Sequence, residues 1–369
     1  MNVVILNGVW HEGDRTPDEA LDRFTTLTGW AEAVRDAGAE VCVIQRFHHD
    51  ARLVRTGIPY EFVADTAPAH PPFWFGGGAM LTALPASRPS VVHVNGLDHP
   101  RVIRGIRRAL PDAAIAVQDH GGFEPAALSL TRRWGARYLL AAANVLFVAT
   151  PQQAEAFRAS GVVPDGTTVR DVMEGSTELR CPGRSEQIEG LRVLWVGRLN
   201  ANKDPLTVLE GFSRFAEAHP NATLTYIYGT SELESALRAG IVEHHLEGRV
   251  TMAGSVSHNR LVDFYANADV FVLGSRREGS GYAALEAMAC GVVPILTGIP
   301  AFRGLTDEGR VGGLWKAGDP ASLAAALTRA ASAPLAEQRD ACRRRFEQHF
   351  SWKAIGARAM AIYRDCSVG

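Results

Sequence analysis

The sequence predicts an α/β protein made of two doubly wound domains with a cleft between them. Three observations favour this fold class. The chain has 369 residues, more than a single hydrophobic core usually serves. Short β-branched runs alternate with longer helical patterns, as in parallel sheets covered by helices on both faces. The alternation stops in a polar segment at 178–190 and then begins again.

The first half of the chain supplies the first run of alternating elements. Helices are predicted between its strands, most clearly at 18–37 and 101–110. We assign residues 1–180 to an N-terminal domain. Its predicted strands are VVIL at 3–6, EVCVI at 40–44, VVHV at 91–94, AIAV at 114–117 and VLFV at 145–148.

The second half repeats the pattern after a linker, ELRCPGRSEQIEG, whose proline and glycines are typical of a connection between domains. We assign residues 190–349 to a C-terminal domain. The tail, 335–366, is predicted to be an amphipathic helix, and its last part, 350–369, to join the N-terminal domain. The predicted strands of this half are LRVLWV, TLTYIY, VTM, VFVL and VVPIL.

Composition narrows the classes of function. The net charge of −2 and the ordinary apolar fraction of 46% argue against a nucleic-acid binder and against a polybasic membrane anchor. No apolar run is long enough to span a bilayer. The start, MNVVILNGVWHEGD, is interpreted as a first strand and not as a signal peptide. Five cysteines without a CxxC pair predict reduced thiols that serve packing, and hence a cytoplasmic protein.

A cationic loop follows the first strand of the second half. VGRLNANKDP places Arg198 and Lys203 at the start of a helix for which Asp204 is the predicted N-cap and Pro205 the first residue. Two cations add to the partial positive charge of the free amides at a helix N-terminus, which favours phosphate binding. The alternative is a solvated pair of charges on a surface loop.

A glycine-rich turn follows a later strand of the same half. Gly279 and Gly281 allow close backbone approach to a ligand, and Ser280 adds a hydroxyl donor. Glu278 precedes the turn, and Glu286 lies five residues into the next helix, roughly 7 Å along its axis. Carboxylates on both sides of a phosphate site suit a ligand with hydroxyls at both ends, such as a nucleotide-sugar. Alternatively, Glu286 pairs with a neighbouring base.

The second half also resembles a known family. VGRLNANKDP, SHNRLVDFYANADVFVLGS, EGSGYAALEAMACGVVPILT, GGLWKAGDPASLAAAL and FSWKAIGARAMAIYRD are similar to segments of the retaining glycosyltransferases of family four. That family has the GT-B fold, in which two Rossmann-like domains face each other across a cleft. The resemblance covers nearly all of residues 190–365.

The resemblance implies a role for each matching residue of the second half. Arg198 and Lys203 would hold the diphosphate, and Glu286 the ribose. Glu278 and the backbone from Gly279 through Ser280 and Gly281 to Tyr282 would hold the donor sugar and phosphate. Family members often have Phe where this chain has Ser280, so the resemblance leaves the choice of donor sugar open.

The first half resembles the family more in the order of its strands than in its amino-acid sequence. There the resemblance places Gly8 near the diphosphate and His120 at the transferred sugar, although the first-strand loop lacks the family's usual glycine pair. Together with Arg198, Lys203 and Glu278, His120 is predicted to act in catalysis. The loops of the first half would shape the acceptor site, for which our candidates are Trp10, His11, Asn95, Asp98 and His99.

Other histidines and loops have open interpretations. His93 lies on a strand and either lines the acceptor cleft or belongs to the core. HPPFWFGGGAM, at 70–80, is either a mobile acceptor loop or an ordinary buried one. The histidine pairs at 48–49 and 244–245 lack the spacing of metal ligands, so no metal site is predicted.

The predicted activity is retaining, metal-independent transfer of a sugar from a UDP- or GDP-linked donor to an unidentified small-molecule or glycan acceptor. The chain has no Asp-x-Asp triplet, so cationic side chains and helix ends are expected to neutralise the leaving diphosphate. No cofactor and no nucleic-acid partner are expected. A soluble acceptor is favoured over a lipid, and peripheral membrane contact stays open. The alternatives are a nucleotide-sugar epimerase or hydrolase and a non-catalytic nucleotide-sugar-binding paralogue.

Overall fold

The chain folds into two compact units. Unit 1 comprises Met1–Gly175 and Trp352–Gly369, and unit 2 comprises Ser176–Ser351. The computed structural model describes residues 1–72, 74–120, 123, 125–173, 175–176, 181 and 189–367. Most of the predicted linker at 178–190 lies outside these ranges, as does Phe73 of the 70–80 loop.

Unit 1 is built on a twisted sheet whose described strands run in the order β3-β4-β2-β1-β5-β6-β7-β8. Neighbouring strands are parallel, except that β3 runs antiparallel to β4. This β3–β4 hairpin was not predicted from the sequence. The strands are β1 (Asn2–Asn7), β2 (Glu40–Phe47), β3 (Ala51–Arg55), β4 (Ile58–Ala64), β5 (Val91–Asn95), β6 (Ala114–Gln118), β7 (Val145–Val148) and β8 (Thr168–Asp171).

Helices cover both faces of the unit 1 sheet. The single helix predicted at 18–37 is wrong, because Phe24 leaves the helical region at φ −90° and ψ 57° and separates two helices. Several helices begin with proline, whose fixed φ suits the first helical turn. The helices are α1 (Pro17–Arg23), α2 (Thr25–Asp36), α3 (Gly78–Ala83), α4 (Pro100–Ala109), α5 (Leu130–Leu140) and α6 (Pro151–Ala159).

Unit 2 contains a second sheet, whose described strands are all parallel and run in the order β11-β10-β9-β12-β13-β14. Its strands are β9 (Arg192–Gly197), β10 (Thr223–Tyr228), β11 (Val250–Gly254), β12 (Val270–Leu273), β13 (Val293–Thr297) and β14 (Gly313–Trp315). Its helices are α7 (Pro205–Ala218), α8 (Glu234–Glu243), α9 (His258–Asn267), α10 (Tyr282–Ala289), α11 (Pro300–Thr306), α12 (Pro320–Ser332) and α13 (Leu335–His349).

The C-terminal segment is divided between the two units. The single helix predicted at 335–366 is broken at Phe350 and Ser351, so α13 belongs to unit 2 and α14 (Trp352–Ser367) to unit 1. Helix α14 packs closely on α2, since a Cβ on Gly29 would collide with the Trp352 indole. No helix of the described chain is both long and apolar enough to cross a bilayer.

The two faces of the unit 1 sheet bury separate hydrophobic clusters. Val3 and Ile5 of β1 face the cluster that also contains residues of α2 and α14. Val4 and Leu6 face the opposite cluster, to which α3, α4, α5 and α6 contribute. Successive side chains of a strand point to opposite faces, so a strand covered on both sides is apolar over most of its length. The β-branched runs in the sequence therefore predicted these strands.

The expectation that all five cysteines are reduced thiols is wrong. Cys181 and Cys290 form a disulfide within unit 2, with Cα atoms 5.6 Å apart. The two residues are 109 positions apart in sequence, so no CxxC pattern could indicate the pair. Cys42, Cys342 and Cys366 are free thiols.

Both sheets have a point where the chain reverses its direction of winding. In unit 2, β9 lies between β10 and β12, and in unit 1, β1 lies between β2 and β5. In open parallel sheets, ligands bind beyond the carboxyl ends of the strands at such a point. The loops after β9 and β12, and those after β1 and β5, are therefore where ligand-binding residues are expected.

Candidate functional site

The two loops at the reversal point of unit 2 form one surface. The Asn202 side chain accepts a hydrogen bond from the Arg277 N–H at 3.1 Å and donates to the Arg277 carbonyl at 3.0 Å. A Cβ on Gly274 would lie 2.9 Å from the Asp204 carbonyl oxygen and 3.0 Å from that of Lys203, so only glycine fits without displacing the neighbouring loop. The loops predicted separately to face phosphate are thus held together.

Lys203 and Glu278 form an ion pair across these loops. The side chains are only 15% and 13% exposed. Ser275 Oγ donates a second hydrogen bond to the same carboxylate oxygen, at 2.7 Å. Glu278 is therefore fixed in position, and it partly neutralises the charge that Lys203 offers to an anion.

The arginines of this surface differ in whether they pair with an acidic side chain. Arg276 pairs with Asp204 at 2.8 Å. The side chain of Arg198 is exposed and makes no hydrogen bond or ion pair with the described residues. Arg198 therefore carries a charge that no acidic side chain in the described ranges compensates. Arg276 was not among the residues predicted from the sequence.

The predicted capping of α7 by Asp204 is wrong in its detail. Asp204 does occupy the N-cap position, but in the left-handed region at φ 45° and ψ 54°, and its carboxylate does not bond to a helix amide. The carboxylate instead accepts a hydrogen bond from the Thr207 hydroxyl at 2.8 Å and pairs with Arg276. The Asp204 carboxylate therefore does not occupy the first-turn amides of α7, which are groups that favour an anion.

The turn before α10 requires glycine at its last position. Gly281 has φ 70° and ψ 52°, which side chains rarely adopt, and a Cβ there would lie 2.7 Å from the Phe302 ring. Ser280, the residue that departs from the family's usual Phe, is buried. Gly279 and Tyr282 flank this pair, and Tyr282 is the first residue of α10. The turn is therefore a tightly packed structure in which a larger side chain has little room.

Glu286 is the fifth residue of α10 and is largely buried. Tyr265 of α9 donates a hydrogen bond to Glu286 Oε2 at 2.9 Å, and His258 Nδ1 lies 3.8 Å from Oε1. Burial raises the pKa of the Glu286 carboxyl, and the Tyr265 hydrogen bond and His258 oppose that effect. The neighbouring base that we considered as an alternative partner is thus present, but the closer contact is with a tyrosine hydroxyl.

A row of polar side chains crosses the carboxyl ends of the central strands of unit 1. Asn7 donates to Gln45 Oε1 at 2.7 Å, Asn95 donates to Asn7 Oδ1 at 3.2 Å, and His120 Nε2 lies 3.1 Å from Asn95 Oδ1. Because Asn95 Oδ1 can only accept, the network places a proton on His120 Nε2. Asn7 and Gln45 were missed in the sequence analysis, although each lies at or near the end of a predicted strand.

The loop after β1 is held by a fully buried arginine. Arg46 Nε donates to the carbonyl of Gly8 at 2.7 Å, and its other nitrogens bond to Asp65 Oδ1 at 2.8 Å and to the Ala69 carbonyl at 2.7 Å. The backbone of Gly8 is therefore fixed without a positive φ. Arg46 was not among the predicted residues, because a single arginine in a strand gives no signal of what it will contact.

Trp10 and His11 occupy different environments in this loop. The Trp10 ring packs against Phe47 and His48, with ring centres 5.6 and 5.1 Å away. The His11 side chain is exposed, and its Nδ1 accepts a hydrogen bond from the Gly13 N–H at 3.0 Å. Of these two acceptor candidates, His11 is exposed, whereas Trp10 is partly buried and packs against its neighbours.

Asp98 and His99 follow β5, and both line a small cavity of about 20 Å³ together with Gly8 and Asn95. Asp98 lines a mainly apolar cavity of about 730 Å³ that also contains Asp119, Arg101 and Phe123. His99 is half-buried and stands edge-on to Phe75 at 5.6 Å, and burial lowers the pKa of its imidazole. The two predicted acceptor residues therefore share one small cavity, and Asp98 also lines the larger one.

His93 belongs to the core, which decides between the two interpretations of that residue. It is fully buried, and Tyr363 of α14 donates to its Nδ1 at 2.7 Å while its Nε2 lies 3.1 Å from Gln118 Oε1. Trp30 in turn donates to the Tyr363 oxygen at 3.0 Å. Burial is the main cause that lowers the pKa of His93 to about 3. The interpretation that His93 lines a cleft is wrong.

The histidine pairs show no metal-binding arrangement. His48 and His49 pack around the Phe47 ring, at 4.1 and 5.0 Å between ring centres. Over the described ranges, no three His, Cys, Asp or Glu side chains gather closely enough to hold a metal ion.

The unit 2 surface lies within a segment that matches a known family. Residues 186–349 match the family model of the glycosyl transferases, group 1. This segment is therefore similar to the glycosyl transferases of group 1. The matched segment contains Arg198, Lys203, Glu278 and Glu286, whereas Gly8, His120 and the acceptor candidates lie outside it. The predicted resemblance is therefore confirmed for the second half of the chain.

One relative of this chain is the GDP-mannose:cellobiosyl-diphosphopolyprenol alpha-mannosyltransferase of Xanthomonas oryzae pv. oryzae. It is 30% identical over 223 residues, which is 59% of this chain and 58% of the relative. The chain thus spans less than two thirds of that relative's length.

Two solved structures show the fold of the whole chain. A sucrose-phosphate synthase from Thermosynechococcus elongatus has a TM-score of 0.72 and 21% identity, covering 99% of this chain and 98% of that one. A structure described as trehalose-6-phosphate from E. coli bound with UDP-2-fluoro glucose has a TM-score of 0.69 and 12% identity, covering 99% of both chains. These likenesses and the two parallel-sheet units confirm the predicted GT-B fold class.

Proposed function

We propose that this protein is a retaining, metal-independent glycosyltransferase that moves a sugar from a nucleotide-diphosphate-sugar to an acceptor. The observation that carries the proposal is the joined surface at the unit 2 reversal point, where an uncompensated Arg198, the Lys203–Glu278 pair and the buried Glu286 share one sheet edge. The family match of this segment supports it. The relative's name supports a nucleotide-sugar donor, since it specifies GDP-mannose.

Each group on this surface suits one part of such a donor. Arg198 and the first-turn amides of α7 would meet the diphosphate, because no carboxylate among the described residues pairs with Arg198 or bonds to those amides. The Lys203 ammonium group would interact with the phosphate as well as with Glu278. Glu286, whose Oε2 is held by Tyr265, would accept hydrogen bonds from the ribose hydroxyls through its other oxygen.

The leaving nucleotide diphosphate is the charge that the site must stabilise. We propose that the acceptor attacks on the face from which the diphosphate departs, that a phosphate oxygen takes the acceptor proton, and that no protein nucleophile takes part. Fixed cations and helix amides would stabilise the growing negative charge without reorganising. The absence of an Asp-x-Asp triplet from the sequence supports a route without a bridging metal.

Glu278 and His120 would position the sugar. Glu278 accepts bonds from Lys203 and Ser275 at once, which suits a carboxylate that orients a hydroxyl and not one that removes a proton. His120 would contact the transferred sugar while Asn95 holds its ring. If Glu278→Gln abolished turnover while the donor still bound in the same orientation, a positioning role for Glu278 would be wrong.

The acceptor would bind to the loops of unit 1. Asn95, Asp98, His99, His11 and Trp10 are the candidates, and the cavity beside Asp98 has room for a group with an apolar part. The relative's name specifies a diphosphopolyprenol-linked acceptor, which supports an acceptor that combines a sugar with a lipid.

Donor binding is the first test of this proposal. Isothermal titration with GDP-mannose and UDP-glucose should show binding of at least one donor, weakened about tenfold or more in Lys203→Ala, since a charged hydrogen bond is lost. Arg310→Ala, which removes an exposed ion pair with Asp307 elsewhere in unit 2, should bind like the parent. Indifference to every nucleotide-sugar tested would overturn the proposed donor site.

The products separate the proposed activity from its alternatives. Nuclear magnetic resonance of a reaction with an acceptor should show the donor's anomeric configuration kept in the product, with the same rate after EDTA treatment. Conversion of the donor alone at the full rate would favour an epimerase or hydrolase. Binding without any turnover would favour a non-catalytic paralogue.

A further inference from the structure

Helix α5 of unit 1 presents an apolar stripe to solvent. Leu130, Trp134 and Tyr138 are 75%, 74% and 60% exposed. They are four residues apart, so they lie along one side of the helix. The buried residues of α5, Ala136 and Leu140, face the core from the opposite side. The stripe is therefore additional to the face by which α5 packs on the sheet.

Arginines surround this stripe, and acids are scarce beside it. Helix α4 contains four arginines and α5 contains three, and neither helix contains an acidic residue. Arg104 of α4 lies over the Tyr138 ring, 3.8 Å from its centre. Within the described part of the chain, Arg133 bonds only to the carbonyl oxygens of Leu128 and Ala126, which leaves its charge uncompensated there. Arg137 lies 3.4 Å from Asp165, whose side chain is almost fully exposed.

Three further arginines of these helices are exposed. The side chains of Arg101, Arg108 and Arg132 make no hydrogen bond or ion pair within the described part of unit 1. Arg101 and Arg132 line the cavity that contains Asp98 and Asp119, so acids balance that side in part. The outer side of the two helices therefore keeps an excess of positive charge around three large apolar side chains.

We propose that α5 docks unit 1 on an anionic lipid surface. Leu130, Trp134 and Tyr138 would enter the interface between headgroups and acyl chains, and the arginines of α4 and α5 would meet the lipid phosphates. An apolar stripe flanked by cations, with tryptophan and tyrosine at its centre, is typical of a helix that lies in the plane of a membrane interface. The formal net charge of −2 for the chain conceals this local excess.

The apolar stripe distinguishes a membrane from a nucleic acid. Arginines and aromatic rings would serve both partners, since bases stack on aromatic side chains. Leu130 has no π-face, so its exposure helps only the partner with an apolar interior. The surface does not depend on which sugar unit 2 binds, so its test is independent of the proposed activity.

Vesicle sedimentation of the whole protein tests the proposal. We expect binding to vesicles of equal parts phosphatidylglycerol and phosphatidylcholine, little binding to phosphatidylcholine alone, and weaker binding as salt rises. The double variant Leu130→Ser, Trp134→Ser should bind about tenfold more weakly, because two interfacial side chains are lost. Arg108→Glu should lower binding at low salt by roughly fivefold or more.

Matched variants control for general effects of substitution. Val242→Ser changes a side chain of α8 in unit 2 that is 58% exposed, and Arg329→Glu reverses an exposed charge on α12. Both should bind vesicles like the parent, and circular dichroism melts should show that all the variants fold. The proposal is overturned if anionic vesicles do not bind the parent, or if the α5 variants bind them equally well.

Two other partners are outcomes that would also overturn the proposal. Competition by a single-stranded oligonucleotide, with affinity for it unchanged in Leu130→Ser, would show a nucleic-acid surface. A parent that is dimeric by light scattering, and monomeric only in the α5 variants, would show that the stripe joins two copies of this chain.

Discussion

Removing the buried imidazole of His93 should make unit 1 less sensitive to acid. His93 accepts a hydrogen bond from Tyr363 and donates one to Gln118, an arrangement that requires the neutral ring with its proton on Nε2. Its pKa falls from 6.5 to about 3 in the folded chain, mainly through burial, with nearby His120 acting in the same direction. Between pH 6.5 and about 3, the His93 imidazole therefore binds a proton in the unfolded chain but not in the folded chain.

The magnitude follows from proton linkage. A difference of one bound proton changes the free energy of unfolding by about 1.4 kcal/mol per pH unit. The contribution is fully present above pH 6.5 and is lost as the pH falls towards 3, which amounts to roughly 5 kcal/mol over the whole window. Between pH 7.5 and 5.0 the loss from this one group is about 2 kcal/mol.

Urea unfolding at these two pH values measures the effect. Because two units need not unfold together, the readout is pulse hydrogen exchange on peptides from β5 and β6, analysed by mass spectrometry. His93→Gln keeps an amide donor for Gln118 but does not titrate. It should be less stable than the parent at pH 7.5 by about 1–3 kcal/mol, since Tyr363 loses its acceptor. It should also lose about 2 kcal/mol less than the parent on going to pH 5.0.

Tyr363→Phe is the matched control. It removes one hydroxyl from the same network but leaves the imidazole buried, so its stability should fall at both pH values and its pH dependence should stay near that of the parent. If His93→Gln and the parent showed the same pH dependence, the imidazole would not be the group that unit 1 holds neutral, and the reasoning would be refuted.

Three further predictions concern other buried groups. Glu286→Gln should raise the melting temperature at pH 8 but not at pH 4. Burial raises the pKa of this carboxyl, so ionising it costs stability as the pH rises through that pKa. Equal shifts of the melting temperature at both pH values would contradict this prediction. Gly281→Ala should destabilise unit 2 by about 1–2 kcal/mol in urea, since alanine is strained at φ 70°, whereas Gly229→Ala, at an open position, should be nearly neutral. Arg46→Met should cost about 3–5 kcal/mol by leaving Asp65 and the Gly8 carbonyl without their cation, and a loss below 1 kcal/mol would show that water replaces it.

Much of the candidate donor site could be predicted because its signals are local. The loop with Lys203 and the turn with Gly281 each follow a buried strand and precede a helix, and both facts can be read from short stretches of sequence. Parallel strands place such loops at one sheet edge. Partners from elsewhere in the chain gave no such signal, which is why Tyr265 and Arg276 were missed.

The sequence by itself determined the two α/β units and most of their strands. Strands buried on both faces are apolar at most positions, so their residues identify them without knowledge of their neighbours. Helix ends were less certain, as Phe24 and Phe350 show, because a single residue can leave the helical region for reasons of packing.

Tertiary structure alone decided which groups meet and which face solvent. It paired Cys181 with Cys290, joined Lys203 to Glu278, buried His93 behind Tyr363 and left the α5 stripe uncovered. The physical reason is the distance along the sequence between the interacting residues. Helical and strand periodicity depends on residues a few positions apart, whereas burial and pairing depend on chain segments that only folding brings together.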